Sequence, residues 1–194
     1  MSYQYDAYFS YKRDPESDDW HETVKKKLQH WAAVDLGREL RIFFDRDDIL
    51  TGVRFRNTLA DALRTSRCII CLWSPLYFQS QWCLSEFKSF QRREQEIGSS
   101  LVLPASYFDG KTFPADATEY QFADFSPFAI TTPTFWHTSE AVTFERTLLK
   151  RFAAALARMI NNAPPYDEAF PIVEIEQSAL PPKPTFPRPA DVRD

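Results

Sequence analysis

The chain has 194 residues, 44% hydrophobic and 26% charged, which suits one folded domain with a proper core and some length to spare. A formal net charge of -4 argues against a basic nucleic-acid-binding surface. No apolar run approaches the roughly 20 residues that span a bilayer, and the first residues lack the basic-then-apolar pattern of a secretory signal. A soluble, cytoplasmic protein with no nucleic-acid or membrane partner is the expectation.

Tyr5-Asp6-Ala7-Tyr8-Phe9-Ser10-Tyr11 is a short aromatic-rich strand, and Lys12 to Ser17, with Pro15, a loop. A helix is expected from Asp18 or Asp19, where Asp19 followed by Glu22 resembles a capping box. Trp20, Val24, Leu28 and Trp31 then recur at helical spacing, with Lys25-Lys26-Lys27 as a solvated face. Leu40 to Phe44 is a second strand, and the charge cluster Asp45-Arg46-Asp47-Asp48 follows directly at its end. Gly52 punctuates the loop, and Phe55, Leu59, Ala62 and Leu63 stripe a second helix.

Cys68 to Trp73 is a third strand, nearly all apolar, as expected where both faces of a parallel sheet are covered. It contains a C-x-x-C, Cys68 and Cys71, but residues three apart on a strand point to opposite faces. A shared metal or disulfide is therefore not expected, and the three histidines show no metal spacing with Cys83. Ser74-Pro75 ends the strand. A third helix runs from Ser80 to about Gln95, with Cys83, Phe87 and Phe90 as its core stripe. Trp82 and Glu86, four apart, share a face on the flank of that stripe.

A fourth strand spans Ser100 to Ala105, and Tyr120 to Phe125 is a short fifth. Thr138 or Ser139 caps a last helix that buries Leu148 or Leu149, Phe152, Leu156 and Met159 or Ile160. Asn161-Asn162 closes it before Pro164-Pro165. Eight of the fourteen prolines lie from Ala163 onward, so the expected division is a domain over 1–162 and an extended tail or linker over 163–194. Such a tail suits a link to a further domain or an effector partner.

Strands alternating with helices imply a parallel sheet covered on both faces. Ligands bind such sheets beyond the carboxyl ends of the strands. That rim collects Phe9 to Lys12, Asp45-Arg46, Ser74 and the start of the third helix.

These residues, in this order, resemble a TIR (Toll/interleukin-1 receptor) domain: Tyr5 to Tyr11, Phe43-Phe44-Asp45 with Leu50 and Gly52, Leu59 with Ala62-Leu63 and Ser66, Ser74, and Trp82-Cys83-Leu84-Ser85-Glu86. The likeness covers roughly residues 3 to 160 and is closer to plant and bacterial members than to animal receptors. Thr51-Gly52 stands where animal adaptors carry Pro-Gly. The resemblance implies a flavodoxin-like sheet of about five parallel strands. In enzymatic members it implies cleavage of the nicotinamide–ribose bond of NAD+, with NAD+ a substrate and no cofactor needed. Glu86 then matches the catalytic glutamate and Trp82 the aromatic before it. Phe9, Ser10, Tyr11, Lys12 and Arg13 border the nucleotide, with Ser80 at the helix start beside them. Asp45 and the loop through Arg54 match a loop that gates the site and makes assembly contacts. A role in bacterial anti-phage immune signalling is the biological expectation.

Cleaving that bond develops an oxocarbenium-like centre, and the nicotinamide leaves as a neutral base without a general acid. One carboxylate near the developing charge suffices, which is the role expected of Glu86. Trp82 would wall the nicotinamide ring, and Lys12, Arg13 or Arg46 would hold phosphates. Phe9 and Tyr11 suit sheet packing as well as base stacking, and Asp45 suits a loop cap as well as a ligand contact. Asp47-Asp48 is expected to be solvated, with no metal. Without G-x-G-x-x-G or a P-loop, dehydrogenase and NTPase readings have no support. Ser74 at the end of strand three removes a phospho-receiver reading, which needs an Asp there. The competing reading is a non-catalytic TIR that works by homotypic association.

Overall fold

The computed structural model describes residues 2–45, 55–108 and 110–173, with the side chains of 55–57 left aside. Arg46, Asp47, Asp48, the Thr51-Gly52 pair and residues 174–194 lie outside the described residues.

Five strands form one sheet: β1 (Tyr5–Tyr11), β2 (Ile42–Phe43), β3 (Ser66–Trp73), β4 (Val102–Ser106) and β5 (Ala123–Asp124). Their order is β2-β1-β3-β4-β5 and every pairing is parallel. This is the flavodoxin-like order, whose switch point lies between β1 and β3. The register sets Tyr8 opposite Ile69 and Ser10 opposite Cys71.

The helices are α1 (Asp18–Leu36), α2 (Phe55–Arg64), α3 (Pro75–Gln79), α4 (Gln81–Ile97), α5 (Ala115–Thr118), α6 (Ser139–Phe144) and α7 (Lys150–Asn161). A π turn, Glu145–Leu149, joins the last two. It settles the choices in that helix: Leu149 and Ile160 are the buried members, with Leu148 and Met159 only partly covered. None of the described helices is long and apolar enough to cross a membrane.

Several local expectations need correction. α1 starts at Asp18 with Ser17 in the cap position and no side-chain capping bond. Asp19 therefore sits inside the first turn, where its charge meets the positive end of the helix dipole, and no capping box forms there. The lysine run is not one solvated face, because consecutive helix residues point about 100° apart. Lys26 is exposed and pairs with Glu22, Lys25 is buried over the Phe44 ring, and Lys27 pairs with Glu145 in the π turn at 2.5 Å. The ladder of β2 holds only two residues, although Leu40 and Phe44 on either side are buried. Ser74-Pro75 does more than end β3: Ser74 Oγ accepts from the Tyr77 N–H at 3.1 Å and Pro75 opens α3.

The core is aromatic. Trp20, Trp73, Phe87 and Phe90 are among its fully buried side chains, and a buried Phe contributes roughly 1.5–3 kcal/mol. Cys68, Cys71 and Cys83 are all buried and unpaired; Cys68 Sγ faces the Asp6 carbonyl while Cys71 lies opposite Ser10, as strand alternation requires.

Residues 163–173 form no helix or strand, yet they are packed rather than free. Tyr3 Oη donates to the Pro164 carbonyl at 3.1 Å, and Phe170 is buried.

Candidate active site

β1 supplies the site through its alternation. Tyr8 and Ser10 point to the face covered by α3 and α4, while Phe9 and Tyr11 pack toward Phe44 and His21. α4 starts at Gln81 with Ser80 as its cap, the Ser80 Oγ accepting from the Cys83 N–H at 3.4 Å. That start fixes the helix phase, and Glu86, in the second turn, projects onto β1.

Glu86, on the flank of the helix's core stripe, is 4% exposed. Its Oε1 accepts from Tyr8 Oη at 2.6 Å and its Oε2 from Ser10 Oγ at 2.6 Å. When Glu86 is ionised, the Ser10 proton is committed to it, and the 2.8 Å contact between Ser10 Oγ and Tyr77 Oη then has Tyr77 as donor. A chain of hydroxyls therefore runs Tyr77 to Ser10 to Glu86, with Tyr8 closing the other oxygen. Burial pushes the Glu86 pKa up to about 7, against the hydrogen bonds from Ser10 and Tyr8, which favour the carboxylate; Asp45 repels it and the Trp82 side chain donates to it. Burial also raises Tyr8 and Tyr77 well above the ordinary tyrosine range, so both stay donors at any working pH.

Trp82 is partly buried against the core beside this carboxylate. At the next position along the rim, Asp45 accepts from Tyr11 Oη at 3.0 Å and pairs with Arg13 Nε at 2.7 Å. Burial raises Asp45, with Arg13 opposing. Lys12 lines a separate cavity of about 200 Å³, with His21, Leu72, Ser74 and Tyr107, on the α1 side of the β1/β3 switch point. His21 stays neutral there: burial lowers its pKa to about 3.

The structure thus brings together Glu86, Ser10 and Trp82, and joins Tyr11, Arg13 and Asp45 in a second cluster. Phe9 is 1% exposed in ring contact with Phe44 and Tyr11, a packing position. Ser80 spends its hydroxyl on the helix cap. Arg46 lies outside the described residues. Sequence reasoning missed Tyr8 and Tyr77. Tyr8 shares the parity of Ser10 on β1 and was within reach of that signal; Tyr77 sits in a five-residue helix with no periodicity to announce it. No group of three or more His, Cys, Asp or Glu suited to a metal occurs among the described residues.

A 2-1-3-4-5 parallel sheet with a buried, hydroxyl-held carboxylate beyond its third strand defines an α/β protein of flavodoxin-like topology with a rim site. Residues 8–132 match the family model described as TIR domain, and the chain belongs to that family. It is 31% identical over 103 residues to Toll-like receptor 5 of Mus musculus, a stretch that is 53% of this chain and 12% of the receptor. Among solved structures it is similar to the TIR domain of the Toll-related receptor TRR-2 of Hydra magnipapillata, with a TM-score of 0.46 at 20% identity over 74% of this chain and 100% of that one. It is also similar to the TIR domains of the activated Roq1 resistosome, with a TM-score of 0.42 at 20% identity over 82% of this chain and 86% of that one.

Proposed function

We propose that this TIR domain is an NAD+ nucleosidase, cleaving the nicotinamide–ribose bond to release nicotinamide and either ADP-ribose or a cyclic isomer. The observation that carries the reading is Glu86, a carboxylate on the helix beyond β3, 4% exposed and held by two hydroxyls. A carboxylate in a low-dielectric setting stabilises a developing oxocarbenium centre far better than one in water. Its pKa near 7 leaves a large ionised fraction at neutral pH.

The ribose diol enters by replacing a protein hydroxyl on Glu86. Ser10 is the partner suited to yield, since Tyr77 keeps it hydrogen-bonded when it turns away from Oε2. Trp82 walls the nicotinamide ring, and Arg13, Lys12 and Arg46 serve the phosphates. Activation by TIR–TIR assembly, with a neighbour completing the site, and a place in bacterial anti-phage signalling belong to this reading, as does a cytoplasmic location.

A second reading has an observation of its own. Both Glu86 oxygens are occupied and buried, as they would be in a domain that acts only by self-association and uses the glutamate as a core bracket.

The experiment is to incubate concentrated, assembled protein with NAD+ and follow free nicotinamide, beside Glu86→Gln. The enzyme reading expects release by wild type and a loss of about a hundredfold or more in the variant. Intact NAD+ in both, under crowded and assembled conditions, leaves the interaction module as the function.

A further inference from the structure

Past α7 the chain runs back beside the start of β1, where Tyr3 meets the Pro164 carbonyl and the Tyr166 and Phe170 rings. It then climbs α4 in the direction opposite to the helix. Phe170 lies over the Arg93 guanidinium at 4.2 Å, and Val173 reaches Ser89 and Ser85. We infer that residues 164–173 are a positioning strap for the α4 turn that carries Glu86, an assignment that rests on Glu86 being the working carboxylate.

The clamp closes on both sides of Glu86. Ser85 Oγ donates to the Val173 carbonyl at 2.7 Å, and the Val173 N–H donates to Ser89 Oγ at 2.9 Å. Ser89 Oγ in turn donates a hydrogen bond to the Ser85 carbonyl at 2.7 Å. Ser85 is bonded to Glu86 in the chain, and Ser89 is on the next turn, so one strap residue grips the helix across the catalytic position. Interior serines otherwise gain little by such bonds to their own helix.

Phe170 anchors the clamp. Arg93 is fully buried between Phe90 and Phe170, each ring 4.2 Å from the guanidinium. It has no carboxylate partner among the described residues; it donates instead to the Ser66 and Leu63 carbonyls at 3.0 and 3.2 Å. The strap therefore ties α4 to the end of α2 and the start of β3 through one desolvated cation. A displacement of the chain at Val173 is delivered to the residue next to Glu86.

The test uses the full chain with Phe170→Ala, and with Ser85→Ala and Ser89→Ala combined. Amide exchange is followed in α1 and α4, the Glu86 carboxyl titration by NMR, and nicotinamide release at neutral pH. Expected are exchange about tenfold or more faster across residues 85–93 with α1 unchanged, a lower Glu86 midpoint as the turn hydrates, and nicotinamide release down about fivefold with KM within about twofold. Phe170→Tyr, which keeps a ring over Arg93, restores all three. Unchanged exchange and titration in both variants overturn the strap, as does a uniform rise in exchange across α1 and α4. If exchange and titration shift while wild type itself releases no nicotinamide, the strap stands and the catalytic reading falls.

Discussion

Tyr8 and Glu86 lie 78 residues apart in the chain, yet the Tyr8 phenol donates to Glu86 Oε1 at 2.6 Å in the core. Tyr8→Phe keeps the ring stacked on Phe43 and removes only this donor. A charged group left short of a buried hydrogen bond costs roughly 1–3 kcal/mol. The Glu86 midpoint should rise above about 7, and denaturant unfolding at pH 8 should show that loss. An unmoved midpoint means that Tyr8 does not hold the carboxylate.

Glu86 keeps its proton up to about 7 in the fold but only to its ordinary 4.5 in the unfolded chain. Between those values the folded state binds more protons, so this group lowers stability as pH rises. The penalty is absent below 4.5, complete above about 7, and ~3 kcal/mol in size. Gln carries no such ionisation. The stability of Glu86→Gln relative to wild type should climb from pH 4.5 to about 7 and level off above it, and parallel stability curves would refute the buried-carboxylate assignment.

His21 acts with the opposite sign. Its pKa falls from the ordinary 6.5 to about 3 among the rings of Tyr11, Trp20 and Tyr107. The unfolded chain takes up a proton below 6.5 that the folded one refuses, so stability is full above 6.5 and is lost as pH falls toward 3. Glu86 offsets part of this loss in wild type. In the Glu86→Gln background the acid lability should steepen, and adding His21→Phe should flatten it. Thermal unfolding between pH 4 and 7 reads both.

The thiols of Cys68, Cys71 and Cys83 are buried, and burial raises each above the usual range. A neutral-pH thiol reagent should label none in native protein and all three after denaturation. Prompt native labelling of Cys83 would show that the start of α4 opens readily, since that thiol packs on the Tyr11 carbonyl at 3.5 Å.

The sheet was legible because β1 and β3 carry their pattern within single short runs, and α4 has both an aromatic stripe and a Ser cap. The rim position of Glu86 followed from the order of elements. Its burial did not, because a residue on the edge of a helix stripe is exposed or covered according to what faces it, and here that is a strand 76 to 78 residues earlier. Asp19 and Glu22 had the spacing of a cap but not the helix phase. Phe170 and Val173 were hidden by the prolines around them: an extended, proline-rich run can be a linker or a bound strap, and only its neighbours decide which.

If Glu86 is the working carboxylate, its double occupancy sets a threshold for any ligand. A ligand that needs Glu86 must first draw on whatever fraction of molecules has released a hydroxyl, and its apparent dissociation constant is its intrinsic one divided by that fraction. On the nucleosidase reading, a change that frees Oε2 while leaving Glu86 buried would lower the apparent dissociation constant without touching the substrate. On that reading, sensitivity is set by how tightly Ser10 holds Oε2 and Tyr8 holds Oε1.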